Sequence, residues 1–192
     1  ACTRDDFVRA FLFGTNNTVR DGQCLRSILT MDDKTQGWVG IPHGGIAMGA
    51  MADLAFSLKK GRNGPFGPYP FSIDYRMGGA SVRLGDTLQI ELTAKKDKAE
   101  GVVVKDLQSP PYLSAVFQFA HADPSIGETF RSYLPAHAGD LENRMIPLPS
   151  YRNCFVCGFA RREPGLERRF YALDLPDRQK IVVSPVRCAG DS

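Results

Sequence analysis

The longest apolar run of the chain, Ile46 to Phe56, is interrupted by one ionisable side chain, Asp53. Apolar residues fall on every side of a 3.6-residue period there, which predicts a helix buried on most of its circumference. The flanks set its limits at about 44–60. Pro42 suits the entry to a first turn, Lys59 and Lys60 suit a last turn, Gly61 suits the C-terminal cap, and Pro65 prevents resumption. Its small residues, among them Gly45, Ala47, Gly49, Ala50, Ala52 and Ala55, let a sheet or another helix come close. Gly49 costs roughly 1 kcal/mol of helix propensity for that access.

Period-two alternation predicts strands around this helix. Before it, Cys24 to Met31 reads as a strand, entered through the turn-like Gly14 to Gly22 and broken by Asp32 to Gly37. Residues 4–13 read as a short helix or an irregular lead-in. After it come four strands: Tyr69 to Arg76, Asp86 to Ala94, Val102 to Leu107 and Tyr112 to Ala120. Leu88, Ile90 and Leu92 alternate with Gln89, Glu91 and Thr93, which gives one apolar face and one polar face. Asp74 and Glu91 fall on solvent faces. Short turns favour antiparallel neighbours. An antiparallel sheet with one apolar face needs a cover, and the apolar helix is the candidate. The expected class is α+β, with residues 1–122 as the domain.

Residues 123–149, rich in Pro, Gly and charge, read as a linker with a short helix around Gly127 to Tyr133. Residues 150–192 read as a partial second module. Phe155-Val156-Cys157-Gly158 echoes Phe11-Leu12-Phe13-Gly14, and Gly165-Leu166-Glu167-Arg168 echoes Gln23-Cys24-Leu25-Arg26. The sequence stops at Ser192, about where a second buried helix would begin, so this module is expected to be truncated. A half-module cannot bury its own sheet face, so it is expected to pack on the first module, to pair with another chain, or to be cut short.

Composition narrows the classes of function. A net charge of +3 is too small to argue for nucleic acid. No apolar run approaches the roughly 18 residues that span a bilayer, and no membrane association is expected. The start Ala1-Cys2-Thr3-Arg4-Asp5-Asp6 lacks a signal peptide's basic region and apolar core, which makes the cytoplasm the expected compartment. The absence of an initiator Met points to an earlier segment outside this numbering. The five cysteines argue against a disulfide framework. Cys154-Phe155-Val156-Cys157 lacks a second pair or histidines at zinc spacing, so packed reduced thiols are expected and no metal.

The chemistry-bearing motif stands at the helix start: Gly40-Ile41-Pro42-His43-Gly44-Gly45, followed by the small-residue helix. With a strand before it and four behind, this stretch resembles the hotdog-fold acyl-CoA thioesterase superfamily over about residues 10–121. Cys154-Phe155-Val156-Cys157-Gly158 with Gly165-Leu166 resembles the opening of another hotdog module, as in tandem members. The resemblance implies a sheet wrapped around a central helix, hydrolysis of an acyl-CoA thioester, no cofactor, and a homodimer or higher homo-oligomer.

The residues can be read for that chemistry directly. Thioester hydrolysis develops negative charge on the carbonyl oxygen, which free N–H groups and the dipole at a helix start stabilise. Gly44 and Gly45 admit the thioester to those groups, and His43 can donate a hydrogen bond or position the acyl group. The carboxylate on the helix is Asp53, a candidate general base or nucleophile. Ten residues separate it from His43, about 15 Å along one helix, so the two cannot serve one carbonyl together. The resemblance implies that two units pair, each site taking the helix start of one and the helix middle of the other. Many members with His-Gly-Gly carry the acid nine positions after the histidine, where this chain has Ala52. One residue turns a helical side chain by about 100°. Asp53 can equally be a structural acid paired with Arg76 or a backbone amide. Arg76, Arg83, Lys60 and Arg62 are candidate contacts to coenzyme A phosphates. The alternatives to a thioesterase are a non-catalytic acyl-CoA-binding protein and a structural, dimerising hotdog protein.

Overall fold

The computed structural model describes residues 4–14, 18–59, 72–96, 98–106, 108–118, 146–161, 166, 168–174 and 180–184. The chain divides into two compact units, Ala1–Ala122 and Asp123–Ser192. The first unit begins with helix α1, Arg4–Phe13, followed by strands β1, Val19–Asp21, and β2, Cys24–Thr30. A small hairpin of β3, Gln36–Trp38, and β4, Ile41–Pro42, leads into helix α2, Gly44–Lys59. Strands β5, Ser72–Met77, β6, Thr87–Ala94, β7, Lys98–Val104, and β8, Leu113–Gln118, complete it.

Six of these strands form one sheet in the order β1-β2-β6-β7-β8-β5, antiparallel throughout. The order explains the helix. The chain leaves the sheet after β2, runs along α2, and re-enters at the far edge as β5 before β6 returns to lie beside β2. Helix α2 packs on β2, β6, β7 and β8. This is the α+β hotdog arrangement of a sheet around a central helix. Met51 and Leu54 of α2 and the inward residues Leu29, Leu88, Ile90, Leu92, Val103, Leu113 and Phe117 of the sheet are all fully buried. Burying each such side chain contributes about 1.5–3 kcal/mol. Helix and sheet approach closely at Gly101, where a side chain would meet Met51 Cε and come within 2.7 Å of Leu92 Cδ1.

Several local expectations are corrected. Helix α2 is not buried around its circumference. Ile46, Ala47, Ala50, Met51, Leu54 and Ala55 are buried on one face, whereas Gly45 and Gly49 are exposed. The expected turn at Gly14 to Gly22 contains β1, paired through Val19–Arg26, Arg20–Leu25 and Asp21–Cys24. The break at Asp32 to Gly37 contains a 3₁₀ turn, Asp33–Thr35, and β3. Strand β7 begins at Lys98, inside the stretch expected to be a turn, because the chain reverses tightly through the Lys95 N–H to Lys98 carbonyl bond of 2.7 Å. Tyr69 to Phe71, Leu107, Phe119 and Ala120 lie outside the described residues, as does Lys60 at the expected end of the helix. Glu91 and Asp74 are exposed, as expected.

Ser27 is the polar intruder in this core. It is 4% exposed on the inward face of β2, and its hydroxyl has no hydrogen-bond partner among the described residues. Leaving a buried hydroxyl unpaired costs about 1–3 kcal/mol, and alanine removes that cost with little loss of volume. Ser27→Ala is therefore expected to raise stability by about 1 kcal/mol, read as a higher urea midpoint at unchanged slope.

In the second unit, β9, Ile146–Pro147, β10, Tyr171–Asp174, and β11, Lys180–Val183, form a three-stranded antiparallel sheet in the order β11-β10-β9. Cys154 to Gly158 form a tight turn, closed by the Gly158 N–H to the Cys154 carbonyl at 2.8 Å. Cys154 and Cys157 are free thiols, Cys154 buried. Burial, with contact from Cys154, pushes the Cys157 thiol up. The linker helix expected at Gly127 to Tyr133 lies outside the described residues. Among the described residues, no helix is long and apolar enough to cross a membrane. No group of three or more His, Cys, Asp and Glu side chains among them is gathered as a metal site would require.

Candidate functional site

The start of α2 is fixed from both sides by the hairpin that precedes it. Gly37 lies so close to His43 that a Cβ there would stand 2.6 Å from His43 Cα and 2.9 Å from His43 N. The His43 N–H donates to the Thr35 carbonyl at 2.8 Å, and buried Thr35 is itself held by its hydroxyl donating to the Asp32 carbonyl at 2.7 Å. The backbone at His43 is thus clamped before the helix begins.

His43 occupies the N-cap position. Its Nδ1 accepts the Gly45 N–H at 3.1 Å, and its carbonyl accepts the Ile46 N–H at 2.9 Å. A side-chain acceptor at this position satisfies one of the amides a helix start leaves open. Two consequences follow for the chemistry. Nδ1 is the acceptor, so in the neutral ring Nε2 carries the proton and is the donor. The Gly45 amide, expected among the oxyanion donors, is spent on His43. The Gly44 N–H has no hydrogen-bond partner among the described residues and remains available beside the positive end of a 16-residue helix.

Burial lowers the His43 pKa from its ordinary 6.5. The sign follows from linkage. Between the folded and unfolded values the unfolded chain binds a proton that the folded chain refuses, so stability is present above about pH 6.5 and is lost as pH falls below it. Protonation at Nδ1 also removes the acceptor of the Gly45 amide. His43→Asn retains a good cap without titrating. Wild type is therefore expected to lose stability relative to His43→Asn between pH 7.5 and 5.5, at a slope no steeper than about 1.4 kcal/mol per pH unit. Urea midpoints at the two pH values check this.

Asp53 lies about two and a half helical turns beyond this start, and its carboxylate is engaged. Arg9 of α1 donates from Nε to Asp53 Oδ2 at 2.9 Å and from Nη2 to the Ser57 hydroxyl, which in turn donates to the Asp53 carbonyl at 2.9 Å. The structural pairing expected with Arg76 is corrected: the partner is Arg9. The shift from position 52 to 53 accounts for it, because the added turn of about 100° carries the side chain onto the flank that α1 covers. Sequence reading did not find Arg9, since nothing local to residues 4–13 signals a partner 44 positions away.

The candidate phosphate contacts separate. Arg83 lies in a loop that touches the approach to the site, where the Leu84 N–H donates to the Gly40 carbonyl at 3.1 Å. The loop is fixed by Asp86, which accepts the Arg83 N–H at 2.9 Å. Lys105, with that N–H, holds the Asp86 carboxyl below its ordinary range. The Arg76 guanidinium is exposed and reaches Asp74 at 3.4 Å. It faces away from α2, because its neighbour Tyr75 points at the helix and donates its hydroxyl to the Met48 carbonyl at 2.7 Å. Burial pushes the Tyr75 hydroxyl up to about 12, so it remains a donor at neutral pH. Lys60 and Arg62 lie outside the described residues.

Two surfaces complete the picture. Trp38, Val39 and Ile41, at the hairpin tip before His43, are 61%, 66% and 51% exposed and adjoin the exposed helix start at Gly45. A cleft of about 660 Å³ lies elsewhere, lined by Val19, Ile28, Val102, Val104 and the Arg26–Glu91 ion pair, and it takes in neither His43 nor Asp53.

No protein-family model matches the chain, and no curated protein matches it in sequence. Solved structures similar to it include smu.793 from Streptococcus mutans UA159 bound to acetyl-CoA, at 20% identity, covering 55% of this chain and 87% of that one, with a TM-score of 0.43. Zebrafish thioesterase superfamily member 2 is 11% identical over 59% of this chain and 83% of its own, with a TM-score of 0.45. A hypothetical thioesterase protein with coenzyme A from Streptococcus pneumoniae TIGR4 is 15% identical over 61% and 93%, with a TM-score of 0.42.

Proposed function

We propose that this protein binds an acyl-CoA thioester at the start of α2 and hydrolyses it. The observation that carries the reading is the division of roles at His43. Its Nδ1 is taken by the Gly45 amide, which leaves Nε2–H and the unpaired Gly44 N–H as donors toward a thioester carbonyl. Both oppose the charge that develops on that oxygen, at the end of the helix where the dipole favours it. Arg83, on the loop bonded to Gly40, is the candidate partner for a coenzyme A phosphate.

The carboxylate comes from Asp53 of a second, paired unit, since the helix start and Asp53 of one chain are too far apart. The exposed Trp38, Val39 and Ile41 and the glycines on the open face of α2 support a homodimer that covers this side. A second reading is favoured by the Arg9–Asp53 ion pair, which engages one oxygen of the acid: a protein that binds acyl-CoA without turning it over. Release of free thiol from a panel of acyl-CoAs separates the two. Turnover that disappears in Asp53→Ala, with acyl-CoA binding retained, supports the hydrolase. Binding without thiol release supports the second reading.

A further inference from the structure

We infer that Arg9 is a positioning residue that makes α1 part of the catalytic apparatus, by fixing the carboxylate of Asp53. This rests on the thioesterase reading above and extends it to a helix that lies outside the expected site. The geometry is specific. The guanidinium spends Nε on Asp53 Oδ2 and Nη2 on the Ser57 hydroxyl, one turn further along α2. The Ser57 hydroxyl returns a bond to the main-chain carbonyl of Asp53, which closes a ring of three residues over two elements. Oδ1 of Asp53 takes no part in the ring and is the oxygen available to a water or a thioester.

The rigidity matters because of what a carboxylate must do here. As base or nucleophile it has to hold one lone pair toward a carbonyl presented by another helix start, and a misplacement of about 1 Å can cost on the order of a hundredfold. A free aspartate rotates about two side-chain bonds. One that accepts the Arg9 Nε–H at Oδ2, from a guanidinium itself held by Nη2 on Ser57, is confined. Asp53 is shielded and Arg9 is partly open to solvent, with side-chain exposures of 19% and 40%, so water competes little at the carboxylate end. A plain surface ion pair would be worth at most about 1 kcal/mol of stability and would have no bearing on turnover. The ring with Ser57 distinguishes this pair from that case.

The test is steady-state thiol release by the full chain, with kcat and KM measured separately for wild type, Arg9→Ala, Arg9→Gln and Arg9→Lys. Unfolding midpoints confirm that each variant is folded. Arg9→Ala is expected to lower kcat by roughly ten- to a hundredfold with KM within about twofold, and Arg9→Lys to recover part of the loss. If Arg9→Ala does not fold, Arg9→Gln, which keeps a donor and removes the charge, is expected to show the same fall in kcat. Wild-type kcat in any folded variant that lacks the guanidinium, with Asp53→Ala inactive, overturns the role of Arg9 and leaves the hydrolase reading standing. Full turnover in Asp53→Ala overturns this inference together with the base. Absence of thiol release from wild type overturns the hydrolase reading and this inference together.

Discussion

Replacing His43 with alanine is expected to lower kcat for thiol release by about a hundredfold or more, the typical loss when one preorganised oxyanion donor is removed. The variant deletes the Nε2–H donor and also frees the Gly45 amide that Nδ1 had occupied. The freed amide points where the imidazole stood, so it recovers little. The same change removes a helix cap, which costs about 0.5–2 kcal/mol of stability. His43→Asn separates the two contributions. Asparagine caps well, so its unfolding midpoint is expected to return close to wild type while kcat stays low, because a carboxamide does not reach as far as Nε2. Wild-type kcat in His43→Ala sinks the assignment of the helix start as the site. Recovery of kcat in His43→Asn shows that capping, rather than the imidazole donor, was what mattered.

The helix and most of the sheet were legible in the sequence because burial imposes a period on every strand of the core. Leu88, Ile90 and Leu92 alternate with exposed neighbours and face inward together. What escaped has physical reasons. Val19–Asp21 is three exposed residues long, too short to display alternation, and is specified by its pairing with β2. Lys98, Ala99 and Glu100 looked like turn chemistry because the single inward residue, Ala99, is small. The open face of α2 was read as buried because glycine and alanine on that side count as apolar whether or not anything covers them. At the site, the proline, histidine and glycines of the helix start were visible as local chemistry. The split of the His43 nitrogens and the ring of Arg9, Asp53 and Ser57 were not, since each depends on geometry set by the fold.

The glycines at which other atoms approach most closely supply the second large effect. A Cβ on Gly78 would fall directly onto the carbonyl oxygen of Pro111, beside the bond in which the Gly78 N–H reaches the Tyr112 carbonyl at 2.9 Å. A Cβ on Gly37 would meet His43 Cα at 2.6 Å. In both places the obstacle is backbone, which moves only if the strand or hairpin moves with it. Overpacking of this kind costs about 1–3 kcal/mol and occasionally more, so Gly78→Ala is expected at or above the top of that range and Gly37→Ala within it. Gly101→Ala is the contrast. Its Cβ would press on the ends of the Met51 and Leu92 side chains, which can turn aside, and alanine regains the roughly 0.5–1 kcal/mol that glycine costs in a strand interior. Its urea midpoint is expected to fall least of the three. Gly37→Ala carries a further signature, because the atoms it displaces belong to His43. It is expected to reduce kcat beyond what its folded fraction accounts for, while Gly78→Ala, whose clash is with the Pro111 segment, reduces activity only in proportion to unfolding. Equal midpoints for all three variants would mean that the backbone yields freely at Gly37 and Gly78, and the clamp on His43 would then not be the source of its geometry.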